Sequence, residues 1–428
     1  MAPKFDNTQI ITHLNHSEFF NKINSENNPA LIDESKRISY KIKNIIFRIL
    51  GNRKKWDART EKIDGSNIKR VIIFRQDGIG DYIVSTPVIG WLKSALPDVE
   101  IDVLTSFRND FVVMNDPNVT STFPVHHKKI IHTSTIKLFK LRKRKYDVVI
   151  ALDFTRTTYS ALFARIIAPD AEKITVMHPT RKEIYGLVFN RQTKIESGDT
   201  HWSQNMLKFV TENIEPVNKP DESAYLPYIY IFEKDYRSIV SLLEKFHLRY
   251  IPNKNRLITQ FALKDDTINQ SVLNYCIVNI SAYTARNKLS LDTIENVCNV
   301  LCEKYKNTLV FITGSQDDNA NIEKVVSNVN KPNCIELKLK LSEFVAFLAG
   351  AKFIITPDTA TIHIAAAVGV PVVGIYSWFE SARAWYPFNV PFSIVISKDN
   401  QTVNTIEPAQ ILEATEILLS QINNYNKF

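Results

Sequence analysis

The stretch from Arg70 to Thr105 constrains this chain more than any other. Val71-Ile72-Ile73-Phe74 is an apolar, β-branched run that stops shortly before Gly78 and Gly80, as a buried strand does on entering a turn. Ile83, Val84, Val88, Ile89, Trp91 and Leu92 then recur at near-helical spacing, Pro97-Asp98 ends the helix, and Ile101 to Leu104 begins a second strand. Strand, glycine turn, helix and strand make a βαβ unit, which commits the chain to a parallel sheet covered by helices. Asp81 falls in the helix's first turn at the carboxyl end of the strand, where open α/β sheets bind ligands.

Gly78-x-Gly80 opens a dinucleotide-binding fingerprint, but Ile83 stands where its third glycine belongs. The acidic candidates for a ribose, Glu100 and Asp102, start the second strand instead of ending it, so a nicotinamide site is disfavoured. Two readings of Asp81 remain open. It supports the positive end of its helix, or it is a carboxylate on a rigid turn, suited to take a proton from an acceptor hydroxyl.

A chain of 428 residues exceeds what one core organises, which predicts two domains. The net charge of +8 favours acidic partners such as phosphates, nucleotides or anionic lipid. Cys276, Cys298, Cys302 and Cys334 show neither a Cys-x-x-Cys pair nor histidines at zinc spacing, so they read as small buried residues in a reducing cytoplasm and no metal is expected. The first twenty residues lack the apolar core of a signal peptide, and no run approaches the ~18 apolar residues of a membrane span.

Along the chain, residues 1–35 carry weak periodicity. Lys36 to Trp56 is basic and without an acid, with Ile38, Ile42, Ile45, Ile46, Ile49 and Leu50 on one helical face. It reads either as an in-plane anchor on an anionic leaflet or as a helix packed on the first domain. His126 to Lys145 is again basic and leads into the apolar strand Tyr146 to Asp153. It lacks an aromatic stacking platform, so nucleic acid is not an expected partner. Ala161 to Ile167 reads as a helix and Lys173 to Val176 as a strand. The prolines of Ile214 to Pro227 mark the linker, and Lys254 to Ser271 reads as a surface insertion. Beyond the linker, Glu233 to His247 is helical. A second series then alternates strands at Tyr275–Ile280, Leu309–Thr313, Phe353–Thr356 and Val372–Tyr376 with helices at Leu291–Tyr305, Asn319–Asn328, Leu341–Leu348 and His363–Val368. The expected fold class is α/β, two doubly wound domains facing a central cleft. The expected boundaries are an N-terminal extension 1–66 with the basic helix 36–56, a first domain 67–225 and a second domain 226–428.

The second domain carries its own polar strand ends. After Thr356 comes the turn Pro357-Asp358-Thr359-Ala360-Thr361, then an alanine-rich helix that holds His363 in its first turn and stops at Gly369. Asp358, Thr359 or Thr361 can cap that helix, whose free N–H groups can hold a phosphate. The strand ending at Ile280 runs into Ser281-Ala282-Tyr283-Thr284-Ala285-Arg286-Asn287-Lys288, a hydroxyl-rich cationic loop able to neutralise a diphosphate. Gly314-Ser315-Gln316-Asp317-Asp318 follows the next strand and can meet a ribose or base. A capped helix with nothing bound is the plain alternative.

RQDGIGDYIVSTPVIGWLKSALPDVEIDVLTS resembles the amino-terminal signature of glycosyltransferase family 9, the ADP-heptose:lipopolysaccharide heptosyltransferase family, and AKFIITPDTATIHIAAAVGVPVVGIYS resembles its carboxyl-terminal signature. The similarity runs from about Lys69 to the end. It implies a GT-B architecture of two Rossmann-like domains, no cofactor, and inverting, metal-independent transfer from a nucleotide sugar, ADP-heptose by family, to a lipopolysaccharide-type or related envelope glycan. By position, Asp81 matches the family's catalytic base in the loop of Gly78 and Gly80 on the acceptor side. Asp358, Thr359, Ala360, Thr361 and His363 match the donor-phosphate turn, and Arg286 or Lys288 the phosphate cation, with Ser281, Thr284 and Gly314 on the same donor side. The resemblance places the protein in the cytoplasm, on the inner membrane face if the 36–56 helix anchors it. Two departures matter. The usual Lys-x-Trp-Pro becomes Arg286-Asn287-Lys288-Leu289-Ser290, and Ala360 replaces the glycine of Asp-Thr-Gly, which motivates two competing readings: another nucleotide sugar as donor, or a non-catalytic binding module.

Overall fold

A computed structural model describes residues 10–11, 38–49, 61–125, 135–152, 159–176, 182–193, 200–248, 258–259 and 274–425. Residues 1–9 and 12–37, most of the expected insertion at 254–271, and the outer parts of the 36–56 and 126–145 segments lie outside them. The chain forms two compact units that exchange near Leu226 and Pro227, with His201 belonging to the carboxyl-terminal one.

The N-terminal unit is described by α1 (Ile38–Ile49), β1 (Arg70–Arg75), α2 (Ile79–Ala95), β2 (Glu100–Thr105), α3 (Asp110–Val113), β3 (Ser121–Pro124), α4 (Thr135–Arg142), β4 (Val148–Ala151), α5 (Tyr159–Ile167), β5 (Glu172–Val176), α6 (Lys182–Val188), β6 (Arg191–Thr193) and α7 (Trp202–Thr211). Its strands form one parallel sheet in the order β3-β2-β1-β4-β5-β6, that of doubly wound nucleotide folds. The apolar run of β1 is buried throughout, as a strand covered on both faces must be. Pro87 lies inside α2 and cannot donate to the carbonyl four residues earlier. The Thr86 hydroxyl donates to that carbonyl, on Ile83, at 2.7 Å, so the helix continues.

The C-terminal unit holds α8 (Glu233–Glu244), β7 (Asn274–Asn279), α9 (Leu291–Lys304), β8 (Thr308–Thr313), α10 (Asn319–Val329), β9 (Cys334–Leu337), α11 (Leu341–Leu348), β10 (Ile354–Pro357), α12 (Ala360–Ala367), β11 (Val372–Tyr376), α13 (Phe379–Trp385), β12 (Phe392–Ile396) and α14 (Pro408–Tyr425). Its parallel sheet runs β9-β8-β7-β10-β11-β12, with the short strand Ile10–Ile11 added beside β12. The order of the N-terminal sheet is thereby repeated. All four cysteines are free and buried in one core formed by this sheet with α9, α10 and α14. Gly369, at φ 79°, ends α12 in the left-handed conformation that glycine adopts without strain.

On α1, Phe47 is buried in the core shared with Tyr185 and Val188 of α6, whereas Ile42 and Ile45 of the expected apolar face are 53% and 59% exposed. Glu100 and Asp102, weighed for a ribose, are engaged elsewhere. Arg70 pairs with Glu100 at 2.7 Å, while Tyr146 Oη donates to Asp102 at 2.6 Å and Arg144 pairs with it at 2.6 Å. Burial raises the Asp102 carboxyl above its ordinary range, against these partners.

Candidate functional site

Each sheet reverses its strand order once, between β1 and β4 in the first unit and between β7 and β10 in the second. At such a point the connections leave to opposite faces and open a crevice at the strands' carboxyl ends. The polar turns singled out in the sequence lie at these two reversals.

In the N-terminal unit the turn after β1 is built around Arg75, whose side chain is fully buried. Its Nε donates to the Asp81 carbonyl at 2.8 Å and its Nη1 to the Leu152 carbonyl at 2.5 Å. The guanidinium also lies 3.3 Å from the Asp77 carboxylate and 3.6 Å from that of Asp81. Gly78 is the N-cap of α2, and its backbone N–H donates to Asp81 Oδ2 at 2.9 Å. A Cβ on Gly78 would sit 3.0 Å from that same oxygen, so the glycine permits this close approach. The loop after β2 braces the turn: Ser106 Oγ donates to the Asp77 carbonyl at 2.7 Å and Asn109 Nδ2 to the Arg75 carbonyl at 2.9 Å. Asp81 caps its own helix, and its carboxylate is one-third exposed and fixed in orientation by two neighbours. Gly80 is buried in the first turn of α2.

In the C-terminal unit, Asn279 at the end of β7 joins the two sides of the reversal. Its Nδ2 donates to Thr356 Oγ1 at 2.9 Å and Thr361 Oγ1 at 3.3 Å, while its Oδ1 accepts from the Ser281 N–H at 3.1 Å. Thr359 is the N-cap of α12, and its hydroxyl accepts from Thr361 N–H. Ala360 is the first helical residue and is not among those with left-handed backbone, so alanine fits there without strain. The Asp358 carboxylate accepts from Ser381 Oγ at 2.6 Å and its carbonyl from Asn287 Nδ2 at 3.3 Å, with Asn287 held in turn by Ser377 at 2.6 Å.

The two cations flanking Asn287 differ. Lys288 is paired with the buried Asp318 at 2.6 Å, and Ser315 Oγ donates to the same carboxylate at 2.6 Å. Burial raises that carboxyl, but hydrogen bonds from Lys288, Ser315 and Ser281 outweigh it and hold it below the usual carboxylate range. Gly314 permits the contact, because a Cβ there would lie 3.0 Å from Asp318 Cβ and 3.3 Å from Ile280. Arg286 is exposed, and among the described residues it is tied through its backbone carbonyl, which accepts from Thr402 Oγ1 at 3.2 Å. Thr284 is the exposed N-cap of the short turn Ala285–Asn287. His363, in the first turn of α12, is buried, with its ring edge-on to Trp385 at 5.8 Å and to His201 at 6.5 Å. Sequence reasoning missed Asn279, Asn287, Ser377 and Ser381, and only the break of an apolar strand at Asn279 hinted at them.

Residues 274–413 match the family model of glycosyltransferase family 9 (heptosyltransferase). Lipopolysaccharide heptosyltransferase 3 of Escherichia coli K12 is 24% identical over 80% of this chain and 96% of its own length. Lipopolysaccharide heptosyltransferase 1 of Campylobacter coli is 20% identical over 82% and 98%. Among solved structures, a family 9 glycosyltransferase from Veillonella parvula superposes with a TM-score of 0.63 at 18% identity, covering 82% of this chain and 97% of that one. E. coli heptosyltransferase WaaC with ADP gives 0.59 at 14% identity, over 82% and 99%. With residues 274–413, about a third of its length, matching the family model and relatives aligned along most of it, the chain is similar to glycosyltransferase family 9 and has the GT-B fold of the solved structures.

Proposed function

We propose that the protein is an inverting, metal-independent heptosyltransferase that moves heptose from ADP-heptose to a lipopolysaccharide-type glycan, with Asp81 as general base. The observation that carries this reading is the donor-side cluster at the β7/β10 reversal, where Asn279, Asn287, Thr359 and Thr361 surround the N-terminus of α12. Half-buried hydroxyls on a helix start suit a diphosphate, and a solved structure of E. coli heptosyltransferase WaaC is a complex with ADP. In the reaction the acceptor oxygen attacks the anomeric carbon opposite the nucleotide, its proton passes to the Asp81 carboxylate, and the bond from that carbon to the diphosphate oxygen breaks. Arg286, with Lys288 beside it, and the helix N-terminus take up the negative charge that arrives on the leaving group. The protein works at the cytoplasmic face of the inner membrane, where such acceptors are built. No helix among the described residues is long and apolar enough to cross a membrane.

The test is calorimetry of ADP, UDP, GDP and their sugars, without metal and then with magnesium, followed by transfer assays with core oligosaccharide. Metal-independent preference for ADP and ADP-heptose, with transfer, supports the reading. Preference for a UDP or GDP sugar moves the donor and keeps the mechanism, whereas binding without transfer or hydrolysis leaves a non-catalytic module.

A further inference from the structure

One face of the N-terminal sheet is covered by a continuous helical layer in which α4 packs on α5, α5 on α6 and α6 on α1, all sharing one core. The outer side of this layer is not the polar surface such helices ordinarily present. On α1, Phe47 points into the core, and Ile42 and Ile45 point the opposite way, 53% and 59% exposed. The exposed Lys41 and Arg48 flank them. On α4, Leu138 and Leu141 are buried while Phe139 is 56% exposed, followed by exposed Lys140, Arg142 and Lys143. α1, α4 and α5 carry no acidic residue, and α6 carries one, Glu183. Large apolar side chains turned outward among clustered cations fit neither a solvated face nor a nucleic acid, which would leave the isoleucines uncovered.

We propose that this helical layer is a docking surface for an anionic bilayer, with Ile42, Ile45 and Phe139 entering the headgroup boundary and the surrounding cations contacting lipid phosphates. Charge complementarity selects the occupant, since an anionic leaflet attracts clustered Lys and Arg and its interior accepts the apolar side chains. The surface deepens the reading of an enzyme acting on a membrane-borne acceptor, and rests on that reading only for its purpose.

The test is co-sedimentation of the full chain with vesicles of phosphatidylcholine alone and of phosphatidylcholine with phosphatidylglycerol. Binding to the anionic vesicles only, weakened by salt, is expected. Changing Lys140, Arg142 and Lys143 together to Gln should lower the partition coefficient by about a hundredfold, at roughly fivefold per cation. Changing Ile42, Ile45 and Phe139 together to Ser should lower it by about tenfold. These six side chains are exposed, and an unchanged melting curve checks that the variants fold. Equal binding to both vesicle types, binding to neither, or variants that bind like the parent would overturn the proposal. Because the assay contains neither donor nor acceptor, its failure is separable from failure of the transferase reading, which lipid-free donor calorimetry scores.

Discussion

At the scale of single residues, Asp81 was legible because a carboxylate two positions into a helix after a glycine turn has few roles. Its partners were not, because Arg75 looks in sequence like the polar end of a strand. In the folded unit that arginine is fully buried and its fork reaches two backbone carbonyls and two carboxylates. Asp81→Asn keeps an oxygen for the Gly78 N–H and removes only the proton acceptor. It should reduce kcat by roughly 100- to 10,000-fold with donor KM little changed, measured by steady-state kinetics. Near-normal turnover in that variant would leave Asp81 a helix cap and nothing more. Arg75→Met strands two carboxylates beside a lost cation and should cost about 3 kcal/mol or more of stability in urea unfolding. Arg75→Lys restores charge without the planar fork and should recover part of both stability and kcat.

At the scale of elements, the alternation of strand and helix was readable wherever a strand was buried on both faces. It failed at the edges. β3 and β6, Ser121–Pro124 and Arg191–Thr193, are short and only half-buried, so they carry no apolar run to recognise. The polar loops of the second unit were legible from their hydroxyls, yet the groups that knit them together, Asn279 to Thr356 and Asn287 to Asp358, join positions more than 70 residues apart. No local pattern encodes such a pairing. The same geometry separates the two cations that the sequence left equivalent. Lys288 spends its charge on Asp318, whereas the exposed Arg286 is held, among the described residues, through its backbone carbonyl. Arg286→Ala should therefore raise donor KM by tenfold or more, the value of about one charge-assisted contact, and Lys288→Ala by less. Titrating ADP into both variants by calorimetry decides the order, and a larger loss at Lys288 would reverse the assignment. Asn279→Ala cuts the bridge between the two sides of the reversal and should weaken ADP by a similar factor while leaving the N-terminal unit unaffected.

At the scale of the whole molecule, two α/β units were foreseeable from two strand–helix series, but their shared strand order and the path of the chain between them were not. Before α7 the chain contributes His201 to the carboxyl-terminal unit. There the imidazole is completely buried, stacked on Phe388 at 4.7 Å and edge-on to Tyr386 at 4.8 Å. Burial, followed by the nearby His363, holds it well below the ordinary histidine value of 6.5. The folded unit thus binds His201 neutral while the unfolded chain protonates it near 6.5, so unfolding takes up a proton and stability rises with pH in that window. The contribution is complete above 6.5 and is lost as the pH falls towards the depressed folded value, at up to about 1.4 kcal/mol per pH unit. Urea unfolding of the carboxyl-terminal unit within the intact chain at pH 7.5 and pH 5.5 should show that loss. His201→Phe, which keeps the aromatic packing and removes the titrating group, should flatten it. An unchanged slope in the variant would mean that another group, not this buried imidazole, sets the acid sensitivity.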